Sequence, residues 1–119
     1  MRFFKKNKYY IKLYVNRIEV TNLVSGKMIS EISNTKFNNQ RLLIAYFQKA
    51  EEFYSNVFKK HEFSTKNSKA IVQQRDMSEE GLSEVERRVI LEVFEQIGIN
   101  EIYIDESTFD LNGNDISKY

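Results

Sequence analysis

Apolar and polar residues alternate along the first third of the chain in three separate stretches. The first two, Tyr9–Val15 and Arg17–Leu23, are rich in Tyr, Ile, Val and Leu, with Asn16 between them as a turn residue. A second turn signal at Gly26 precedes the third stretch, Lys27–Ser33. This pattern predicts three antiparallel strands that follow one another as a meander.

A spacing of three and four residues between apolar positions then replaces the alternation. It predicts a long helix from Gln40 to about Lys60, with Asn38 or Asn39 as the N-cap. The apolar face of this helix consists of Leu43, Phe47, Ala50, Tyr54 and Val57, joined by Tyr46, Phe53 and Phe58. A face of this width indicates a helix that is largely covered by the rest of the protein.

A second helix is predicted to begin after Ser83, because Glu86 three residues later completes a capping-box pattern. Its apolar face carries Val85, Val89, Val93 and Ile97. Gly98 ends the helix, since glycine readily adopts the left-handed conformation found at helix C-termini. The segments on either side, Lys69–Gln74 and Glu101–Asp105, are predicted to be short strands.

The predicted order of elements is βββαβαβ, which indicates an α/β fold with a mixed sheet. The last two strands are expected to lie parallel, joined by right-handed crossover connections. This order is that of the ribonuclease H-like half-domain, which actin-family ATPases and many nucleases share. We expect residues 1–106 to form one such domain and residues 107–119 to form a polar, weakly ordered C-terminal tail.

The composition fits one globular domain and excludes several kinds of site. The chain has 119 residues, of which 41% are hydrophobic and 29% are charged. It has no cysteine and a single histidine, His61, which excludes disulfides, thiolate nucleophiles and metal sites built on Cys or several His. No apolar run reaches the roughly 18–20 residues that cross a bilayer, and the basic N-terminus lacks a signal-peptide core. We therefore expect a cytoplasmic protein.

Charge is divided unevenly along the chain, although the net charge is only +1. Residues 1–69 hold 14 Lys and Arg against 5 Asp and Glu, a net charge of +9. Residues 70–119 hold 4 against 12, a net charge of −8. Three interpretations remain open: a basic face for an acidic partner, head-to-tail self-association, or two complementary halves that pack together.

Residues 70–106 resemble part of a known family. The sequence SEVERRVI at 83–90, followed by Gly98 and EIYIDE at 101–106, is similar to a helix–strand unit in the first domain of MreB, the bacterial actin homologue. In that family a Val-Glu-Arg-Arg helix leads through a glycine-containing turn to a strand that ends in paired acids. Residues 1–69 match only in the order of elements. The resemblance implies an actin-like, MreB-like fold.

The resemblance also implies how ATP would be held, and the chain departs from that pattern. Actin-family proteins bind ATP phosphates on an Asp-x-Gly-Thr-type loop between their first two strands. The corresponding turn here, KLYVNR at 12–17, has no glycine and contains the bulky Tyr14. The family also needs a second domain with its own phosphate loop, for which we expect no room in 119 residues. We expect neither ATP binding nor any other cofactor.

The acids that match the family are therefore expected to have no catalytic role. Asp105 and Glu106 match the strand-end acids of the family, one of which helps to position the attacking water. Without phosphate loops, we expect them to form a solvated strand end that binds cations weakly.

Other catalytic chemistries lack the residues that they need. Ribonuclease H-type nucleases hold two divalent ions with a carboxylate from the first strand, yet residues 9–15 contain no acid. The nearest acids, Glu19, Glu31 and Asp105, fall at unsuitable places. There is no Gly-x-Ser-x-Gly motif, and His61 is typical of a cation at a helix C-terminus. We therefore expect that the protein is not an enzyme and has no small-molecule substrate.

Binding is the class of function that remains. The first hypothesis is a non-catalytic, MreB-like structural or interaction element, with a protein partner or with itself, in a cytoskeletal or membrane-associated assembly. The alternative is a small module that binds nucleic acid or another acidic ligand through its basic N-terminal region. The acidic second half and a pI of about 7.9 disfavour nucleic acid. The candidate interaction residues are Phe3, Phe4, Lys5, Lys6, Lys8, Lys12, Arg17, Arg87 and Arg88.

The N-terminus suggests an anionic membrane as one further partner. Phe3 and Phe4 stand among Arg2, Lys5 and Lys6, so the rings can enter a membrane interface while the cations meet headgroups. In MreB-like proteins an N-terminal amphipathic segment often has this role, at the inner face of the cell membrane. The plainer explanation is a basic terminus whose Phe residues cover a sheet edge.

Overall fold

The computed structural model describes residues 6–119, and these form five strands and three helices. The strands are β1 (Asn7–Tyr14), β2 (Arg17–Asn22), β3 (Met28–Ile32), β4 (Ser68–Gln74) and β5 (Glu101–Ile104). The helices are α1 (Phe47–Lys60), α2 (Glu84–Gln96) and α3 (Gly113–Ile116). The predicted order βββαβαβ is confirmed, and α3 follows it. Each helix in the described part of the chain is too short or too polar to span a membrane.

The five strands join in one mixed sheet in the order β3-β2-β1-β4-β5. The pairs β1–β2 and β2–β3 are antiparallel, whereas β1–β4 and β4–β5 are parallel. The predicted meander and the predicted parallel pairing of the last two strands are confirmed. Because β1, β4 and β5 run in the same direction, their carboxyl ends meet along one side of the sheet, at Tyr14, Gln74 and Ile104. We call this side the carboxyl edge.

Helices α1 and α2 cover one face of the sheet, which we call the helix face. Alternate strand residues such as Ile11, Val20 and Val72 are fully buried beneath them. Tyr54 of α1 stacks on Phe94 of α2, with the ring centroids 5.2 Å apart. The two helices therefore pack on each other through aromatic rings as well as on the sheet.

Helix α1 begins at Phe47 and not at Gln40, so the predicted start is wrong. Neither predicted asparagine caps it, because the Asn39 side chain accepts hydrogen bonds from two backbone N–H groups that follow it and forms a turn instead. Residues 37–46 form an irregular loop that buries Leu43 in the core. This buried leucine has helical spacing from Phe47, which explains why the pattern suggested a longer helix.

Helix α2 begins as predicted, with Ser83 as the N-cap and Glu86 completing the capping box. The predicted apolar face is correct only in part, because Val85 is 63% exposed. The buried residues are Ile90, Val93 and Phe94, with Val89 and Ile97 at the margin. Leu82, in the preceding loop, is buried in the core. Gly98 follows the helix at φ +108°, where a Cβ would lie 2.6 Å from a threonine hydroxyl.

Residues 107–119 pack on the opposite side of the sheet, which we call the tail face. Leu111 is 9% exposed and contacts Tyr10 and Ile71, which point away from the helices. Helix α3 has its own capping box, and Tyr119 packs against the same cluster. The predicted weak order of this segment is therefore wrong. Apolar strand residues on the tail face need to be covered from water, and the tail covers them.

Candidate functional site

A cavity of about 180 Å³ opens at the carboxyl edge, between the loop after β4 and the loop after β5. Open sheets with parallel strands bind ligands outside the carboxyl ends of those strands, so this is the natural place for a site. The wall of the cavity includes Arg75, Leu82, Asp105, Glu106 and Thr108. The partners of these charged groups decide what the cavity can do.

Asp105 is held by groups of the protein itself. Its carboxylate accepts hydrogen bonds from Gln73 Nε2 at 3.0 Å, from the Ser107 N–H at 2.9 Å and from the Tyr119 hydroxyl. Burial alone would raise the pKa of Asp105, but the hydrogen bonds outweigh it and lower the pKa to about 2. The hydrogen bond to Asp105 also raises the pKa of Tyr119 to about 12. Asp105 is thus an internal acceptor rather than the solvated acid that was expected.

Glu106 is paired with Arg87 of α2. The guanidinium donates from Nε at 3.0 Å and from Nη2 at 2.6 Å, a two-pronged contact. The other carboxylate oxygen accepts the Leu82 N–H at 3.0 Å. Arg87 and then the Leu82 N–H lower the pKa of Glu106. This acid therefore fixes the loop before α2 to the end of β5, and it is not free to bind cations as was expected.

Arg75 and Lys12 both contact Asp110 of the tail. Arg75 Nη1 donates to Asp110 Oδ1, and Lys12 Nζ lies 3.3 Å from the same oxygen. The hydrogen bond to Asp110 raises the pKa of Arg75, and Arg75 and Lys12 lower the pKa of Asp110. Lys12 Nζ is also 3.9 Å from Glu19. Arg75, which lines the cavity, and Lys12 are therefore both engaged by the chain's own acids.

Gln73 connects these groups, although the sequence pattern did not single it out. Its side chain is fully buried, and its Oε1 accepts the Tyr10 hydroxyl at 2.5 Å. Its Nε2 donates to Asp105 and, at 3.1 Å, to the Phe109 carbonyl. The Tyr10 hydroxyl in turn accepts the Leu111 N–H at 3.1 Å. We call this network of Tyr10, Gln73 and Asp105 with the tail groups of 109–119 the tail latch. The sequence does contain one sign of this network: a glutamine inside an apolar strand is expected to be buried and therefore to need hydrogen-bond partners.

The turn between β1 and β2 stands where an actin-like fold would hold phosphates. Its residue Asn16 has φ +50°, and the Val15 N–H donates to Asp76 Oδ2 at 2.9 Å. The Asn16 carbonyl accepts the Ser33 N–H at 2.8 Å. A carboxylate thus occupies a backbone donor that a phosphate would require. Among residues 6–119 there is also no cluster of three or more acids or histidines that could hold a metal ion.

His61 caps the C-terminus of α1, close to the position predicted for it, and contacts a strand as well. Its Nε2 lies 2.7 Å from Glu31 Oε2 in β3, and Lys60 Nζ lies 3.0 Å from the same oxygen. His61 first, and then Lys60, lower the pKa of Glu31. The end of α1 is therefore tied to the outer strand of the sheet.

The nine candidate interaction residues do not form one surface. Three of them lie outside the described residues: Phe3, Phe4 and Lys5. The membrane hypothesis for the N-terminus therefore stays a prediction. Three are exposed: Lys6, Lys8 and Arg88. The other three have partners, since Lys12 contacts Asp110, Arg17 stacks on the Tyr14 ring at 3.9 Å, and Arg87 binds Glu106.

The uneven charge of the chain is only partly balanced by direct contacts. Within residues 6–119, the ion pair Lys12–Asp110 joins the basic part to the acidic part. The pairs of Lys60 and His61 with Glu31, of Arg75 with Asp110 and of Arg87 with Glu106 each lie within one part. The two halves pack together through the β1–β4 pairing and the Tyr54–Phe94 stacking, but among the described residues a single side-chain ion pair links their charges. The other interpretations of the charge stay open.

No family model matches the chain. By sequence, the chain is 38% identical over 92 residues to the uncharacterized protein YjaA of Escherichia coli (strain K12), covering 71% of each protein.

By structure, it is similar to MreB5 of Spiroplasma citri bound to ADP, with a TM-score of 0.59 at 12% identity, over 84% of this chain and 38% of that one. The AMPPNP-bound structure of MreB5 gives a TM-score of 0.63 at 12% identity, over 87% and 39%. The chain spans about two fifths of the length of these MreB5 chains. At this identity the likeness shows the fold alone, and the predicted actin-like fold is confirmed.

Proposed function

The chain belongs to the family of YjaA of Escherichia coli, and from its actin-like fold we propose that it works without catalysis, as a half-domain that contacts other protein chains. The assignment to the ribonuclease H-like group, and a place in a cytoskeletal or membrane-associated assembly, are parts of this proposal. The mixed sheet with two crossover helices supports the first part.

One observation carries the proposal: the chain's own tail binds the charged side chains at the carboxyl edge. The Tyr119 hydroxyl donates to Asp105, and Arg75 is bound to Asp110. A group that acts on a substrate must be able to exchange its partner for that substrate, and here the partners belong to the folded chain. The tail latch thus gives these residues a structural role.

The β1–β2 turn supports the same proposal. A phosphate-binding loop offers several free backbone N–H groups and has glycine where the phosphate approaches. This turn has no glycine, its Val15 N–H is bound to Asp76, and the Tyr14 ring lies under Arg17. Nucleic-acid binding is less well supported, because Lys12 of the basic region is paired with Asp110 and is mostly buried.

Calorimetric titration of the full chain with Mg·ATP and Mg·ADP tests the absence of catalysis. We expect no binding heat and no phosphate release, in a sample whose cooperative thermal unfolding shows that it is folded. Micromolar affinity for either nucleotide would contradict the proposal.

Fluorescence polarisation with single-stranded oligonucleotides, at low and moderate salt, tests the alternative function. Salt-sensitive binding would favour the nucleic-acid module, because release of counterions from the phosphates makes such binding weaken as salt rises. We expect none.

A further inference from the structure

Strand β3 lies at one edge of the sheet, and half of its backbone groups point outward. The Asn22 N–H donates to the Lys27 carbonyl, and the Ser33 N–H donates to the Asn16 carbonyl, each at 2.8 Å. Residues 27 and 33 thus belong to hydrogen-bonded pairs with β2. In an antiparallel ladder the direction alternates with each residue. The N–H and C=O groups of Met28, Ser30 and Ile32 therefore point away from β2, toward the open edge.

The side chains of this edge are also unusual. Met28 is 60% exposed and Ile32 is 72% exposed, both on the tail face, beyond the part that the tail covers. Edge strands usually carry a lysine, a proline or a bulge that discourages pairing with another chain. Residues 28–32 read MISEI and pair one to one with β2, without a bulge. The one charged residue among them, Glu31, lies on the helix face and is bound by Lys60 and His61 of its own chain. This edge is therefore suited to accept a further strand.

We propose that the further strand is β3 of a second copy of this chain, paired antiparallel about Ser30. This inference rests on the proposed function, because it names one protein partner for the half-domain. With Ser30 opposite Ser30, Met28 lies opposite Ile32 of the second copy. The three residues with outward backbone groups then form the hydrogen-bonded pairs, so each outward N–H meets an outward C=O. The exposed apolar side chains meet each other across the pair.

The charges near β3 are compatible with this pairing. On the helix face Glu31 lies opposite Ile29 of the second copy, and its diagonal neighbours are Lys27 and Glu31 of that copy. Each Glu31 is already bound by Lys60 and His61 of its own chain, so the pairing leaves no carboxylate without a cation. Lys27 of the second copy, as a diagonal neighbour, places a positive charge near Glu31.

The symmetry distinguishes this dimer from association by net charge. Pairing about Ser30 is two-fold and closes with two copies, whereas head-to-tail attraction between a basic and an acidic end continues into open arrays. A five-residue strand pair buries less than the roughly 1,200 Å² of stable complexes, so the dimer should be reversible and depend on concentration.

Sedimentation velocity on the full chain, between about 20 and 500 µM and at about 20 and 500 mM NaCl, tests this proposal. We expect a monomer–dimer equilibrium that persists at the higher salt. Ser30→Pro removes the central outward N–H without removing a bond to β2, so it should weaken the dimer at least about tenfold. Ser30→Thr keeps that N–H and should leave the dimer unchanged.

A second pair of variants tests the dimer independently, in case Ser30→Pro does not fold. Ile32→Lys puts a cation at each apolar contact and should also weaken the dimer, whereas Val85→Lys, at a similarly exposed position on α2, should not. A monomer at both salts, larger assemblies that dissolve at high salt, or equal dimerisation of Ile32→Lys and wild type would each overturn the proposal. A monomer that also fails to bind nucleotide would overturn this inference and leave the proposed function in place.

Discussion

The tail face of the sheet is built in two different ways. Over β1 and β4 it is covered by residues 107–119, with Leu111 buried and the fully buried Gln73 joining strand to tail. Over β2 and β3 it is open, with Met28 and Ile32 exposed. In the covered part, polar side chains are hydrogen-bonded within the chain. In the open part, backbone N–H and C=O groups of β3 point outward and its apolar side chains are exposed to solvent.

The charged groups at the carboxyl ends of the strands and the exposed groups of β3 therefore have different roles. Asp105, which matches a strand-end acid of the MreB family, and Arg75 both bind groups of the tail. The outward backbone groups and exposed apolar side chains from which we propose self-association lie at β3. If this comparison is correct, substitutions at the covered part should change stability, and substitutions at the open part should change association.

Truncating one apolar side chain in each part gives the largest expected contrast. Leu111→Ala should lower the free energy of unfolding by about 2–3 kcal/mol, because it leaves a cavity beside Tyr10 and Ile71. Ile32→Ala, at a site 72% exposed, should change it by less than about 0.5 kcal/mol. Urea unfolding at low protein concentration, where dimers are absent, measures both. Equal losses would show that the two parts do not differ.

Replacing the buried glutamine tests the tail latch with little change in shape. Gln73→Met should cost about 2 kcal/mol, because the Tyr10 hydroxyl and the Phe109 carbonyl lose their partner inside the protein. Ser30→Ala, at the centre of the open part, serves as the control and should be close to neutral. Thermal unfolding of both variants is the measurement. A melting temperature of Gln73→Met equal to that of wild type would mean that the network does not hold the tail.

The pH dependence of stability tests Asp105. Its pKa of about 2 in the folded protein lies below the ordinary 3.8, so the unfolded chain binds more protons between these values. The resulting stabilisation is complete above about pH 5 and is lost as the pH falls through 3.8 towards 2. Tyr119→Phe should cost about 1 kcal/mol at neutral pH, and this cost should shrink at pH 2.

Tyr9→Phe is the matched control for the acid titration. The Tyr9 hydroxyl donates to the Ser64 carbonyl at 2.7 Å, an acceptor that does not titrate, so its removal should leave the stability difference between neutral pH and pH 2 as it is in wild type. Urea unfolding across this pH range compares the two variants. A constant cost of Tyr119→Phe at every pH would contradict the assigned role of Asp105.

The smallest effect is expected at the ion pair beside β3. Lys60→Ala removes the 3.0 Å contact with Glu31, but Lys60 is largely exposed, so the loss should be less than about 0.5 kcal/mol. The neighbouring Lys59→Ala has no such contact to remove and serves as the control. Chemical unfolding at low and high salt should show the small difference between them fading as salt rises.

The sequence could predict the strands and the start of α2, because alternation and the capping box are local signals. It could not predict the start of α1, since Leu43 is buried from an irregular loop and has the spacing of a helical residue. It could not predict the packing of the tail, because Leu111, Ile116 and Tyr119 stand among polar residues. The bond of Gln73 to the Phe109 carbonyl also joins residues that are far apart in the chain. In the same way, the charges of Lys12 and Arg87 could be seen, but their partners Asp110 and Glu106 could not.

Residue-resolved amide hydrogen exchange at low and high protein concentration compares the covered and the open part of the tail face in one experiment. The Leu111 N–H, bound to the Tyr10 hydroxyl, should be protected at both concentrations. The outward N–H groups of Met28, Ser30 and Ile32 should exchange quickly at low concentration and become protected at high concentration, as a second β3 pairs with them. Fast exchange at Leu111 together with unchanged exchange at these three residues would contradict the division of the tail face into a covered and an open part.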